Sequence, residues 1–187
     1  MHAASYLSVM STIGYYPIFC TLPQFPVELN SKLITETKDV DGEIQNCLVL
    51  VLSSDQQEFH RGLTPLSEPA ASEFAGADIK HIGNLSTQLF EHFPFDNRMD
   101  KVYEDIFVIV DERTLQDNTV RVVQNDVGFV YNEDRDIISE EVVERLETVR
   151  CEISTLGWLL ALLEEDGMIQ VKISQEVVLG DDDVVDL

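Results

Sequence analysis

Two continuous apolar runs constrain the fold of this chain more than any other feature of its sequence. They are Cys47-Leu-Val-Leu-Val-Leu52 and Ile106-Phe-Val-Ile-Val110. A strand that is apolar at every position is buried on both faces, as in a sheet that helices cover on both sides. Polar residues follow each run, and in α/β proteins the carboxyl ends of buried strands are where sites tend to be built.

The remaining patterns predict alternating strands and helices. We expect further strands at 119–123, 127–131, 149–153 and 168–173, the last of them at a sheet edge. We expect helices at 54–59, 82–93, 139–148 and 154–166, from start signals at serines and from helical spacing of apolar residues. The sequence therefore predicts an α/β (or α+β) fold, with a mixed β-sheet of about five strands flanked by three or four helices.

A chain of 187 residues fits one domain with a sizeable core. Residues 2–27 carry no charge, but they lack the basic flank of a signal peptide, and glycine and proline interrupt them too often for a transmembrane helix. We therefore interpret residues 1–46 as an apolar N-terminal arm that packs on the domain or on a partner subunit. The single α/β domain then covers residues 47–180, with a long loop at 61–78, and residues 181–187 form an acidic tail.

The charge of the chain limits its partners. It contains 35 acidic and 12 basic residues, for a formal net charge of -23. This charge repels nucleic-acid phosphates and anionic lipids, so we expect no nucleic acid and no membrane as partners. It favours a basic protein or a small molecule, and it also permits the chain to act as an acidic decoy of nucleic acid.

The cysteine pattern indicates free thiols. The three cysteines form an odd number and no C-x-x-C pair, so neither a disulfide framework nor a zinc site is predicted. Buried free thiols are typical of a reducing compartment, which predicts a cytoplasmic protein. Glycine-rich nucleotide motifs and metalloprotease motifs are absent from the sequence, so we expect no cofactor and no metal.

Four residues are candidates for chemistry. Asp111 and Arg113 follow the second apolar run, and Asp55 follows the first. If the two strands are parallel neighbours, both carboxylates lie at one edge of the sheet, where they can share a cation or divide acid and base roles. His60, at the entrance of the long loop, is a candidate general base. The alternatives are structural: a turn cap with an Asp111–Arg113 ion pair, a helix N-cap near Asp55, and a solvated His60.

Four segments occur in a distinctive order: 48–59, 84–89, 107–115 and 149–158, the last running into Asp166-Gly-Met168. In order and spacing they resemble the uncharacterised DUF6924-type family of α/β domains, and Phe107-Val-Ile-Val-Asp-Glu-Arg-Thr-Leu115 is the most distinctive part. The resemblance spans about residues 47–168 and implies a single α/β domain. It implies no established activity and transfers no catalytic residue.

Three functional hypotheses follow. The first is a non-catalytic binding or interaction protein that self-associates through its apolar arm. The second is a small enzyme, an isomerase, cyclase or hydrolase, with Asp55, His60, Asp111 and Arg113 lining one pocket. The third is the acidic decoy, which needs carboxylates spaced along one face like phosphates.

Overall fold

The computed structural model describes residues 14–38, 41–90, 101–131, 137–163 and 184–185. Along the chain, the elements are β1 (Gly14–Cys20), β2 (Gln24–Phe25), α1 (Val27–Glu36), β3 (Leu48–Val51), β4 (Ala70–Ala71), α2 (Ile79–Phe90), β5 (Lys101–Val102), β6 (Ile106–Val110), α3 (Glu112–Asp117), β7 (Thr119–Tyr131), β8 (Ile137–Glu152), a 3-10 turn (Ile153–Thr155), α4 (156–163) and β9 (Val184–Val185). β2 and β4 pair with each other, and the other seven strands form one sheet.

The main sheet is mixed, as predicted. Its order is β3-β1-β6-β7-β8-β9, and β5 pairs with β1 beside β6. β3, β1 and β6 are parallel, whereas β7 is antiparallel to both β6 and β8. Five strands are four residues or longer, and four helices accompany them, which confirms the predicted α/β class.

Residues 14–20, within the segment interpreted as an N-terminal arm, form β1, an inner strand of the sheet. β1 pairs with β3 on one side and with β5 and β6 on the other, and all of its residues are buried. Pro17 is tolerated in this inner strand because its backbone nitrogen, which carries no hydrogen, needs no partner there. Tyr16 N bonds to Cys47 O beside β3, so the nitrogen of Pro17 faces the opposite side of β1. On that side it lies between the short β5 and the start of β6. Local sequence does not reveal β1, because Pro17 departs from the usual pattern of an inner strand. Residues 1–13 lie outside the described part of the chain.

Helices cover both faces of the sheet. One core contains side chains of β1 together with Leu29 and Leu33 of α1 and the leucines of α4. The other contains Phe19 and Phe107 with Ile82 of α2. The chain thus leaves β1 through α1 on one face to reach β3 and returns through α2 on the opposite face to reach β6, which is a doubly wound arrangement.

β7 and β8 form a long antiparallel pair, in which two predictions are wrong. We expected a turn near residues 125–126 and a helix over 139–148. β7 instead continues without a turn to residue 131, and its register with β8 runs from Thr119↔Glu152 to Tyr131↔Ile137. Residues 139–148 are extended despite their helix-like spacing, because the ladder of hydrogen bonds with β7 outweighs local propensity.

The segment after β3 contains no helix, so the helix predicted at 54–59 is also wrong. Residues 52–69 form turns and irregular loop, followed by the two-residue β4. The side chain of Gln56 explains the difference. It accepts a hydrogen bond from Leu52 N at 2.9 Å and donates one to Leu50 O at 3.0 Å, so it covers the outer edge of β3.

Two helix predictions are confirmed. α2 overlaps the predicted 82–93 region but begins three residues earlier, at Ile79, and α4 buries all four leucines that the spacing placed inward (Leu156, Leu159, Leu160 and Leu163). The strand predicted at 168–173 lies outside the described residues. So does most of the predicted acidic tail, although Val184–Val185 pairs with β8. No helix in the described ranges is long and apolar enough to cross a bilayer.

Candidate functional site

All four candidate residues follow the carboxyl ends of parallel strands. Asp55 and His60 follow β3, and Asp111 and Arg113 follow β6. The ends lie at the same edge of the sheet, but β3 and β6 are not neighbours, because β1 lies between them. Two interstrand spacings, about 10 Å, therefore separate the points at which the two carboxylate-bearing segments leave the sheet.

Asp111 caps α3 and forms ion pairs. Its Oδ1 accepts hydrogen bonds from Thr114 N and Thr114 Oγ1, each 3.2 Å long, and Asp111 N donates back to Thr114 Oγ1 at 3.1 Å. This reciprocal capping box satisfies amide groups at the start of α3. Its Oδ2 accepts a hydrogen bond from Arg150 Nη2 and lies 3.9 Å from Arg121 Nη2. Both carboxylate oxygens are thus occupied by structural partners.

Arg150 was missed by sequence reasoning. It projects from β8, is only 4% exposed, and also donates to Thr119 Oγ1 at 3.2 Å. A buried guanidinium requires a carboxylate and further acceptors to offset its lost hydration. The available signal was one arginine between two apolar residues in a predicted strand, but its partner is 39 residues away and only the fold reveals it.

Arg113 pairs with Asp117 along α3. Arg113 Nε lies 2.8 Å from Asp117 Oδ2, while Asp117 Oδ1 accepts hydrogen bonds from Thr119 N at 3.0 Å and Thr119 Oγ1 at 2.7 Å. Burial alone would raise the pKa of Asp117, but the hydrogen bonds from Arg113 and Thr119 outweigh it and lower that pKa. These contacts fasten α3 to the start of β7.

Asp55 is an exposed turn residue. Its Oδ1 accepts a hydrogen bond from Ser53 Oγ at 2.5 Å. Ser54 instead binds Glu73, through its amide at 2.9 Å and its hydroxyl at 2.7 Å, and these hydrogen bonds lower the pKa of Glu73. The polar residues after β3 therefore hold the turn to the segment that precedes α2.

His60 lines a cleft of about 370 Å³ beside β3, which we call the His60 cleft. Its walls are formed by Leu50, Leu52, Gln56, Glu58, His60, Gly62, Thr64 and Leu66. None of the other three candidate residues is among them. The arrangement combines three leucines with a carboxylate, an imidazole and a hydroxyl, which suits the binding of a small molecule better than acid–base chemistry shared with Asp111.

A second concave surface lies where β1 and β6 end. We call it the Leu115 groove; it has a volume of about 470 Å³ and is lined by Leu22, Pro23, Gln24, Pro26, Pro69 and Leu115. Thr21 N donates to Val110 O at 2.8 Å and joins the two strand ends beside it. In a doubly wound sheet the crevice between oppositely directed crossovers is the usual ligand site. Sequence reasoning did not identify this groove, because its residues come from three distant segments.

The cysteines offer no nucleophile. Cys20, Cys47 and Cys151 are free and buried, as predicted. Burial raises the pKa of Cys20 to about 11 and that of Cys151 to about 12, so both thiols are protonated at neutral pH. Within the described ranges, no group of three or more His, Cys, Asp and Glu side chains is arranged to hold a metal ion.

No family model matches the chain, and comparisons with curated proteins and with solved structures give no significant match. The DUF6924-type resemblance therefore stays a prediction from the order and spacing of four segments. The features that bear on function are the Leu115 groove, the His60 cleft and the ion pairs around Asp111.

Proposed function

We propose that the protein is a non-catalytic binding protein that holds a basic, apolar-anchored segment of another protein in the Leu115 groove. The observation that carries the proposal is the position of Leu115. Its side chain is 55% exposed on an apolar groove at the switch point of the sheet. Leucine side chains on such concave apolar surfaces are typical of interaction sites.

The form of the groove favours an apolar anchor. Three of its six lining residues are prolines, whose rings keep the backbone stiff, and two are leucines. A stiff apolar surface loses little conformational entropy when a partner binds. The partner should therefore insert apolar side chains, as an amphipathic segment does.

The charge around the groove favours a basic partner. Glu68 precedes the lining residue Pro69, and Glu112 lies one helical turn before Leu115 on α3. Arg113, the basic residue of α3, is paired with Asp117. A second copy of the chain would bring another charge of -23 to this surface, so mutual repulsion makes it a poorer occupant than a basic segment.

The contacts of the candidate catalytic residues support a non-catalytic role. Both oxygens of Asp111 accept hydrogen bonds from Thr114 or Arg150, and Arg113 is paired with Asp117. A general base needs a lone pair directed at a substrate. The enzyme hypothesis would have to rely on His60 alone, in a cleft that the other three candidates do not line.

The test uses a synthetic amphipathic peptide of leucine and lysine, about 15 residues long, and its counterpart with glutamate in place of lysine. We expect calorimetry to detect binding of the lysine peptide only. Leu115→Asp should weaken binding by about tenfold or more, because a carboxylate replaces the exposed anchor. Ile44→Asp is the matched control, since Ile44 is a comparably exposed apolar residue, 60% exposed, that does not line the groove.

The alternative occupant of the Leu115 groove is a second copy of the chain, as the self-association predicted from the sequence would require. Light scattering on the full chain distinguishes the two. A dimer that Leu115→Asp dissociates would assign the groove to self-association and overturn the basic partner. Equal loss of peptide binding in Leu115→Asp and Ile44→Asp would show nonspecific attraction to an acidic surface and would also overturn the proposal.

A further inference from the structure

Side-chain hydrogen bonds hold the loop that forms the His60 cleft. Gln56 bonds to Leu52 N and Leu50 O on β3, and its Nε2 also donates to Glu58 O at 3.0 Å. Because these bonds tie the loop to a strand of the sheet, the wall that contains Glu58 keeps a fixed position. Preorganised walls of this kind are typical of small-molecule sites.

The opposite wall is fixed by a second amide side chain. Asn46 Oδ1 accepts a hydrogen bond from Leu63 N at 2.6 Å, and its Nδ2 donates to Leu63 O at 2.8 Å. Gly62 has φ +76, and a Cβ at this position would lie 2.7 Å from Asn46 Cγ, so only glycine fits there. Asn30 Nδ2 donates to Thr64 O at 2.9 Å and ties the same wall to α1.

The chemistry of the cleft is divided between an apolar floor and a polar rim. Leu50, Leu52 and Leu66 supply the apolar surface, and Glu58 and His60 supply the polar groups. The backbone carbonyl of Glu58 is bonded to Gln56, but its carboxylate has no hydrogen bond or ion pair with any residue in the described part of the chain. An anionic group beside a hydrocarbon floor matches a ligand with a cationic head and an apolar body.

From this division we infer that the His60 cleft binds a small organic cation, a primary amine with a short hydrocarbon body. The ammonium group donates hydrogen bonds to the Glu58 carboxylate and to a ring nitrogen of His60, and the hydrocarbon lies on the three leucines. The cleft volume of about 370 Å³ is within the range of small-molecule sites. The net charge of -23 raises the concentration of cations near the surface and repels the matching carboxylate.

The experiment compares three probes with the same body: hexylamine, hexanoate and hexanol. Titrations of the full chain are followed by heteronuclear NMR, which locates the bound probe. We expect hexylamine to shift the signals of residues 50–66 and to bind at least about tenfold more tightly than hexanoate. Glu58→Gln should lower the affinity for hexylamine about tenfold and leave the affinity for hexanol unchanged.

Asp105→Asn is the matched control, because Asp105 is an exposed carboxylate that lines neither the cleft nor the Leu115 groove. It should leave the affinity for hexylamine unchanged, and circular dichroism should show that both variants are folded. Equal affinities for hexylamine and hexanoate would overturn the inference. So would equal effects of Glu58→Gln and Asp105→Asn, or shifts confined to the Leu115 groove. Because the cleft and the groove share no lining residue, failure here leaves the proposed protein partner standing.

Discussion

At the scale of single residues, the buried guanidinium of Arg150 determines the role of Asp111. A cation that is 4% exposed is stable only while a carboxylate and neutral acceptors surround it. Asp111 supplies that carboxylate through Oδ2 and caps α3 through Oδ1, while Thr119 supplies a hydroxyl. One aspartate therefore joins β6, α3 and β8, and both of its carboxylate oxygens serve these structural contacts.

Replacing Asp111 with alanine should destabilise the fold strongly. The change removes the cap of α3 and leaves the buried Arg150 without a counter-ion, and we expect a loss of about 3 kcal/mol in the free energy of unfolding. Urea unfolding followed by the fluorescence of Trp158, the single tryptophan, measures this loss. Asp55→Ala is the control; because Asp55 is exposed, its change should stay within about 0.5 kcal/mol. Equal losses in the two variants would contradict the role given to Arg150.

The lowered pKa of Asp117 predicts a contribution to acid sensitivity. A carboxylate whose pKa is lower in the folded state stabilises the fold above its unfolded pKa, about 3.9, and this contribution disappears as the pH falls through the folded pKa. Asp117→Asn should therefore flatten the fall of the unfolding free energy below about pH 4. Arg113→Met, which removes one of the hydrogen bonds, should flatten it in part. Urea midpoints at a series of pH values measure the slope, and an unchanged slope in Asp117→Asn would count against this explanation.

The four candidate residues show what local sequence can reveal about a site. A buried strand followed by polar residues correctly placed Asp111 and Asp55 beyond strand ends at one edge of the sheet. Their partners could not be predicted, because Arg150 is distant in sequence and reaches Asp111 only through the pairing of β7 with β8. The Leu115 groove could not be predicted either, because its lining residues come from three distant segments.

At the scale of elements, the outer edge of β3 is protected by a side chain instead of another strand. Gln56 satisfies Leu52 N and Leu50 O, and Glu73 N bonds to Leu52 O at 2.9 Å. An unprotected strand edge invites pairing with another chain. The side-chain amide imitates the donor and acceptor of a neighbouring strand and leaves fewer groups open for such pairing.

Gln56→Ala should therefore both destabilise the protein and promote its association. It removes three hydrogen bonds in a partly buried setting, for which we expect a loss of about 1–3 kcal/mol, and it opens the edge of β3. Gln57→Ala is the matched control, because Gln57 makes one exposed hydrogen bond, to Asp55 O. Urea unfolding and light scattering measure the two effects. If both variants are equally stable and have the same mass in light scattering, Gln56 does not protect the edge.

The elements that sequence reasoning placed well are those whose pattern is local. β3, β6, α2 and α4 have runs or spacings that only one kind of structure explains. β1 was missed because Pro17 breaks the usual pattern of an inner strand, and only the position of β5 and β6 makes it tolerable. The pattern of residues 139–148 in β8 predicts a helix because their charged and apolar residues fit both periods, and pairing with β7 decides between the two structures.

At the scale of the whole molecule, topology separates two concave surfaces of different chemistry. The Leu115 groove follows β1 and β6, and the His60 cleft follows the edge strand β3. The groove is apolar and open, which suits a polypeptide, whereas the cleft has a carboxylate and an imidazole, which suit a small ligand. The acidic charge of the chain favours cationic groups at both surfaces.

That charge also predicts how salt affects stability. A net charge of -23 on 187 residues produces self-repulsion that is larger in the compact state than in the unfolded chain. Salt screens exposed charges far more than partly buried pairs such as Asp111–Arg150, so the repulsion should weaken more than the ion pairs do. We expect the urea midpoint to rise between about 0.05 and 0.5 M NaCl, where the Debye length shortens from about 14 to about 4 Å. The double variant Glu58→Gln, Glu68→Gln, which removes two exposed negative charges, should start from a higher midpoint and gain less from salt. A midpoint that falls with salt would mean that the ion pairs around Asp111 outweigh the repulsion of the whole chain.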